Sequence, residues 1–213
     1  MQASGIVLVA NARSFFGVAV LGALVLGAAP ARADDTFGIA VAVAAVDGKP
    51  VRDDPWIEEQ IAEANRLYSP LGVRLRWTIQ KPLAARFAAL ESRRDRDALS
   101  TEVEPRSISV FVVTSLRDVD DPALHRMGVT WRPEPATTYV IVAASARPTV
   151  LAHELGHYFG NGHSAVVNNL MSYSRADGDV FLDAKQAATV RWTAQELLRR
   201  GVLAPLPPPR IFP

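Results

Sequence analysis

Residues 153–163 read HELGHYFGNGH and contain three of the four histidines in the 213-residue chain. His153 and His157 are four residues apart, so on a helix they lie one turn apart and direct their rings at one point. Gly160 lets the chain leave the helix in a left-handed conformation, and the turn can then bring His163 to the same point. The spacing predicts a metal centre with three histidine ligands.

Glu154, directly after the first of these histidines, indicates what such a centre would do. Three neutral imidazoles leave the fourth tetrahedral position of a zinc ion to water, as in catalytic rather than structural sites. Zinc lowers the pKa of that water towards about 7, and Glu154 can take its proton as a general base. The HExxH pattern alone also occurs by chance in structural helices. The added Gly160 and His163 favour one catalytic zinc ion.

The stretch resembles the HExxHxxGxxH signature of the metzincin zinc metallopeptidases, with matrixin-like and small bacterial members the most similar. Downstream, the sequence NLMSY at 169–173 is similar to the Met-turn of that family. The resemblance implies that Met171 forms an apolar floor beneath the ligands and that Gly160 supports the turn. It also implies that Tyr173 stands beside the zinc, where it binds the metal or stabilises an oxyanion. Ordinary core roles for Met171 and Tyr173 are the alternatives.

The resemblance implies a zinc-dependent endopeptidase that hydrolyses peptide bonds by Glu154-assisted attack of zinc-bound water. Two alternatives keep the metal: a zinc-containing peptide-binding module without efficient turnover, and a zinc amidase acting on a nonpeptide substrate. Matrixins usually carry a prodomain with an inhibitory cysteine, whereas this chain has no cysteine. Any restraint on activity is therefore expected from a separate inhibitor.

The implied fold is α/β (α+β), a metzincin-like catalytic domain with a mixed, twisted five-stranded sheet, an active-site helix and a C-terminal helix. Apolar periodicity agrees with that order of elements. A short segment near Gly128–Arg132, flanked by prolines, is expected to be an edge strand that holds a peptide substrate in extended conformation. The pattern predicts strands at 37–46, 73–79, 108–114, 127–131 and 139–144, and helices at 54–68 with Asp54 as N-cap, 83–99, 148–159 and 183–201 with a capping box of Asp183 and Gln186.

Residues 1–33 have the features of a secretory signal: Arg13, an apolar run over 15–29, and a small-x-small cleavage site at 31–33. An uncleaved anchor is the alternative, but about 15 apolar residues are short for a span that needs roughly 20. Cleavage would leave 34–213 as one catalytic domain with a proline-rich tail from about 205. The mature protein is therefore expected to be secreted or periplasmic, with no membrane attachment.

The charge balance gives no reason to expect a nucleic acid as partner, because 23 Lys and Arg oppose 22 Asp and Glu for a net charge of +1. Some matrixins and serralysins bind structural calcium, and the carboxylates of Asp177, Asp179 and Asp183 suggest a similar calcium site here. Their spacing lacks a recognised calcium-loop pattern, and Asp183 already serves as a helix cap. Structural calcium is the disfavoured alternative.

Overall fold

The computed structural model describes residues 35–133 and 137–207. The predicted signal segment, 1–33, lies outside the described residues, and so does the end of the proline-rich tail. The assignment of one catalytic domain stays a prediction. Among the described residues, no helix has both the length and the apolar character that a membrane span requires.

In chain order the elements are β1 (Asp35–Val46), β2 (Lys49–Pro50), α1 (Asp54–Tyr68), β3 (Val73–Leu83), β4 (Ala89–Leu90), α2 (Arg93–Ala98), β5 (Ile108–Val113), β6 (Ser115–Leu116), β7 (Gly128–Trp131), β8 (Tyr139–Ala143), α3 (Thr149–Tyr158) and α4 (Ala184–Arg199).

The main sheet is mixed, as predicted, and its five principal strands follow the order β3-β1-β5-β8-β7. The first four strands are parallel, whereas β7 runs antiparallel to β8 at the edge. The two-residue strand β2 adds a hairpin to the end of β1. Central parallel strands are covered on both faces, which is why β1, β5 and β8 are nearly continuous apolar runs.

The sheet separates two apolar cores. On one face, side chains of the strands pack with α1, α3 and α4. On the other face they pack with the segment that connects β3 to β6. Strand β1 serves both, because Val41 and Val43 face the helices while Ala42 and Ala44 face the opposite core. Helix α3 thereby lies against the sheet and contacts the edge strand β7.

The N-cap of α1 is one residue earlier than predicted. The sequence favours Asp54, but Asp53 has the extended backbone of an N-cap, and its side chain accepts a hydrogen bond from the Trp56 N–H at 3.3 Å. Asp54 and Pro55 are instead the first helical residues. Proline is tolerated there because an N–H in the first turn has no intrahelical partner.

The predicted helix over 83–99 is wrong. Strand β3 continues to Leu83, and the chain then forms a 3-10 turn, the short strand β4 and a six-residue helix, α2, capped by Ser92. The apolar residues Leu83, Phe87 and Leu90 recur at three- and four-residue spacing, which mimics a helix. All three are buried in the second core, and parallel pairing of β4 with β6 places them there without a helix.

Helix α4 has the predicted capping box. The Asp183 carboxylate accepts from the Gln186 N–H at 2.8 Å, and Gln186 Oε1 accepts from the Asp183 N–H at 3.0 Å. The last helical residue is Arg199, and Gly201 follows with a φ of 70°. The N–H groups of Gly201 and of the next residue bond to carbonyls of the last turn, as in a Schellman motif.

Candidate metal centre

Helix α3 and the turn after it bring the three predicted histidines together. His153 and His157 lie one turn apart on α3, which ends at Tyr158. Gly160 has a φ of 92°, a conformation that favours glycine. The chain turns there and returns His163 to the other two rings. One ring nitrogen from each histidine lies within 4.8 Å of the others.

Backbone carbonyls fix the orientation of two of these rings. Nδ1 of His153 lies 2.7 Å from the Leu170 carbonyl oxygen, and Nδ1 of His157 lies 2.8 Å from that of Asn161. A carbonyl oxygen can only accept, so both Nδ1 atoms carry the proton and both Nε2 atoms keep a free lone pair. In metal sites, a hydrogen bond from the ring nitrogen that does not bind the metal orients a histidine ligand in this way.

The donor set fits a zinc ion. Burial lowers the pKa of His153 and lowers that of His157 to about 4, so both rings are neutral near pH 7. The Nε2 atoms of His157 and His163 are 3.1 Å apart, and nitrogens on one tetrahedral zinc ion lie roughly 3.3 Å apart. The two nitrogens are therefore close enough to bind one cation when His163, like His157, has its Nε2 unprotonated. Among the described residues, no Asp, Glu or further His joins the cluster.

Glu154 lies next to the cluster without belonging to it. The residue is 6% exposed, and burial raises its pKa to about 7. The Thr130 hydroxyl, on the edge strand β7, lies 2.5 Å from the Glu154 carbonyl oxygen and 3.1 Å from Oε2 of its side chain. Gly128 of the same strand lies so close that a Cβ there would be 2.8 Å from Glu154 Cγ. The edge strand therefore fixes the position of this carboxyl group.

The predicted Met-turn packs against α3, the helix that carries His153 and His157. Met171 is fully buried, and its sulfur lies against Gly156 of α3, where an added Cβ would be only 2.3 Å from Sδ. The Met171 carbonyl accepts from the Ser164 N–H at 2.9 Å, which ties the turn to the residue after His163. Asn169 Oδ1 accepts from the Met171 N–H at 2.9 Å and shapes the turn from within.

Sequence reasoning missed Arg175, which holds the Met-turn from outside. Its guanidinium donates to four carbonyl oxygens, those of Asn169, Leu170, Ser172 and Ser174. The Leu170 oxygen also bonds Nδ1 of His153, so Arg175 contacts the same acceptor that orients a predicted ligand. No sequence pattern distinguishes this arginine from a surface arginine.

Tyr173 lies on the solvent side of the cluster and is 71% exposed. Its hydroxyl oxygen lies 2.8 Å from Nε2 of His163, and its ring centroid lies 4.8 Å from that of His163. Partial burial raises the pKa of the phenol, so the group keeps its proton near neutral pH. The hydroxyl therefore lies within hydrogen-bonding distance of one of the predicted metal ligands.

The cluster opens into a cleft of about 630 Å³. The edge strand β7 forms one wall, and α3 with the residues after the Met-turn forms the other. Among the described residues, β7 pairs only with β8, as predicted for an edge strand. Its outer edge faces the cleft alongside Glu154.

Neither protein-family models nor curated protein sequences match the chain. Solved structures do. Metalloproteinase-II from Bacteroides fragilis is 14% identical with a TM-score of 0.55, and the match covers 76% of this chain and 53% of that one, so the chain spans about half of that relative. Tannerella forsythia mature mirolysin, solved with a cleaved peptide, is 10% identical with a TM-score of 0.53, covering 82% and 100%. Archaemetzincin from Methanopyrus kandleri is 15% identical with a TM-score of 0.52, covering 78% and 99%.

These likenesses establish the fold. The chain has the mixed α/β fold of metzincin-like metalloproteinases, as the resemblance in its sequence implies. The three-histidine cluster is consistent with the zinc site of such a fold. One fold can carry different reactions, so the reaction depends on the residues of the site rather than on the fold.

Proposed function

We propose that the chain is a zinc-dependent endopeptidase. The observation that carries the proposal is the convergence of His153, His157 and His163 on one point, next to the buried carboxyl group of Glu154 and under an open strand edge. The similarity to mirolysin, which has been solved with a cleaved peptide, supports a peptide as substrate.

In this proposal the three histidines hold zinc, which supplies Lewis-acid chemistry by lowering the pKa of water and polarising a carbonyl group. Glu154 moves the protons. With a pKa of about 7 it is available as a carboxylate that takes a proton from water and as an acid that gives one to the leaving amine. The Thr130 hydroxyl contacts both the Glu154 carbonyl oxygen and one oxygen of this carboxyl group, and so restricts where the carboxyl group can lie.

Tyr173 is proposed to stabilise the negative charge that develops on the carbonyl oxygen during attack. Its hydroxyl lies 2.8 Å from the ring nitrogen of His163 that faces the cluster centre. A phenol that keeps its proton can donate a hydrogen bond to an oxyanion at that place. Its exposure leaves room for a substrate to reach it.

The edge strand is proposed to hold the substrate in extended conformation. The Ala143 N–H donates to the Met127 carbonyl at 2.8 Å, so the backbone of Met127 points towards β8. In an antiparallel pair, successive residues direct their backbone N–H and C=O groups alternately towards and away from the partner strand. The backbone groups of Gly128 and Thr130 therefore point to the open edge. A peptide that pairs there passes next to Glu154, which supports cleavage within a chain rather than at its end.

A library of peptides with blocked termini tests this function. We expect internal cleavage, identified by mass spectrometry, that a chelator abolishes and that one equivalent of zinc restores. Blocked termini remove substrates for an exopeptidase. A binding module would retain peptides from the same library uncut, and an amidase for nonpeptide substrates would leave them both unbound and uncut. Either result would contradict the proposal.

We also propose that the protein is exported and that its signal is removed after Ala33. The proposal rests on the positive residue, apolar run and small-x-small site in the first 33 residues. N-terminal sequencing of the protein recovered outside the cytoplasm should begin at Asp34. Recovery of the uncleaved chain in the membrane fraction would instead indicate an anchor.

A further inference from the structure

The cleft has an excess of positive charge that the chain as a whole lacks. The net charge of the sequence is +1. Among the described residues, six arginines and three carboxyl groups line the cleft, so these groups have three positive charges in excess when every one of the carboxyl groups is ionised. A concave site with low-dielectric walls concentrates such a potential. The lining residues concerned are Arg93, Arg96, Arg126, Arg132, Arg147 and Arg175, with Asp118, Asp120 and Glu154.

Within the described part of the chain, two of these arginines form ion pairs. Arg93 bonds Asp120 at 2.5 Å, and Arg126 pairs with Asp118. Three others donate to backbone carbonyls, which are neutral acceptors, and form no ion pair with a described residue. These are Arg96 to the Arg117 carbonyl, Arg132 to that of His157, and Arg175 to those of the Met-turn.

Arg147 differs from the other five. It is exposed, and its side chain has no hydrogen bond or ion pair with any other described residue. Its backbone is nevertheless fixed, because its carbonyl accepts from Gln60 Nε2 at 3.0 Å and from the Val150 N–H at 2.9 Å. A guanidinium on an anchored backbone, with all its donors available, suits a ligand that carries a carboxylate.

The position of Arg147 relates it to the open strand edge. Val150, three residues later, packs against Gly128, where an added Cβ would lie 2.7 Å from Val150 Cγ1. Gly128 is the first residue of β7. Arg147 therefore lies by the end of the cleft where the edge begins. Side chains of an extended peptide alternate between two faces, so a single position of the peptide would be directed towards this arginine.

We propose that the cleft selects peptides with acidic side chains and that Arg147 determines the preference for Asp or Glu at one position. This inference rests on the proposed function, since it names the substrate class of the same site. Pairing with Arg147 supplies the positional preference. The net positive charge of the other lining residues attracts an acidic peptide over a longer range, and this attraction weakens as the salt concentration rises.

Binding is measured first, on the zinc-loaded full chain with Glu154→Gln so that no peptide is cut. Fluorescent peptides in matched sets carry Glu, Gln or Lys at one position at a time. We expect Glu at one position to bind about two- to fivefold tighter than Gln, as for an exposed charge pair, and Lys to bind more weakly than Gln. The preference should shrink as the salt concentration rises. Equal binding of all three sets would overturn the inference.

A charge reversal then assigns the position, by cleavage of the same sets with the otherwise unmodified protein. Arg147→Glu should remove the preference for Glu at one position and create a preference for Lys there. Arg191→Glu, on the exposed surface of α4 outside the cleft, is the matched control and should keep the original preference. An equal change in both variants would contradict a role for Arg147.

The two proposals fail separately. Zinc-dependent cleavage without any charge preference would overturn the inference and leave the proposed endopeptidase intact. Acid-selective binding that depends on Arg147, in a protein that cuts no peptide, would overturn the endopeptidase and leave the acidic ligand.

Discussion

At the scale of single residues, Glu154 reduces the stability of the metal-free protein. Burial raises its pKa from 4.5 to about 7. A raised folded-state pKa gives a stabilising contribution that is complete below about pH 4.5 and is lost as the pH rises through about 7. We therefore expect Glu154→Gln to be more stable than the wild type by about 1–3 kcal/mol at pH 8, and we expect this difference to be smaller at pH 5.

Urea denaturation in a chelator at the two pH values measures this difference. Comparison of the two proteins removes the contribution of the histidines, whose lowered pKa values act equally in both. The same stability difference at pH 5 and pH 8 would show that the carboxyl group is not desolvated in the folded protein.

Thr130 is expected to act through Glu154. Its hydroxyl lies 3.1 Å from Glu154 Oε2, and Thr130→Val keeps the shape of the side chain while removing that hydroxyl. We expect kcat to fall about tenfold with KM nearly unchanged, because the carboxyl group loses its fixed position while the backbone edge remains. Thr130→Ser should restore most of the rate, and both variants should keep their zinc. Equal losses in the Ser and Val variants would indicate a structural role only.

Sequence spacing could predict His153, His157 and His163, because two of them share a helix face and the third follows a glycine turn. It could not predict Thr130 or Arg175. Thr130 meets Glu154 across 24 residues of sequence, and only because β7 packs on α3. The role of Arg175 depends on the carbonyl directions of the Met-turn, which the sequence does not encode in a readable pattern.

At the level of elements, Gly156 lies at the contact between α3 and the Met-turn. Alanine favours a helix over glycine by about 1 kcal/mol, yet its Cβ would lie 2.3 Å from Met171 Sδ. We expect Gly156→Ala to destabilise the protein by about 1–3 kcal/mol and to weaken zinc binding, because the turn must move away from the helix.

Urea denaturation and competition with a zinc-binding dye measure the two effects. Gly162→Ala is the matched control, because an added Cβ there has no neighbour within 4 Å. The double variant with Met171→Ala should recover part of the loss, since it removes the clashing sulfur. A neutral Gly156→Ala would contradict close packing between helix and turn.

The strands of the main sheet and the four-turn helices were predictable because their apolar periodicity is long and their caps are local. The region 83–99 was not, because the burial of Leu83, Phe87 and Leu90 comes from pairing between β4 and β6. Their spacing satisfies a helix equally well, and only the tertiary contact decides between the two. Likewise, adjacent Asp53 and Asp54 both suit an N-cap, and backbone geometry selects the first.

At the scale of the whole molecule, zinc should stabilise the fold, because the three ligands come from a helix and a following turn that only the folded chain brings together. A ligand that binds only the folded state at 100 times its Kd adds about 2.7 kcal/mol. We expect thermal unfolding midpoints to rise with buffered free zinc by about 5–10 °C. His163→Ala should reduce this shift, and identical midpoints with and without a chelator would contradict a specific site.

The net charge of +1 correctly describes the whole chain but not its cleft. Composition averages over the surface, whereas the fold gathers arginines from several segments around one site. The global balance gives no reason to expect a charged partner, and the local excess supports an acidic peptide. The proposal of an acidic peptide therefore rests on where the fold places the arginines, which the amino-acid composition does not reveal.

In the proposed function, three histidines hold a zinc ion and Glu154 transfers the protons during peptide hydrolysis. The most direct measurement compares zinc content and peptide cleavage in the wild type and Glu154→Gln. We expect about one zinc per chain in both proteins and a rate at least about 100-fold lower in the variant, the contribution typical of general acid–base catalysis. Full zinc occupancy with equal cleavage by the two proteins, or with none by the wild type, would contradict it.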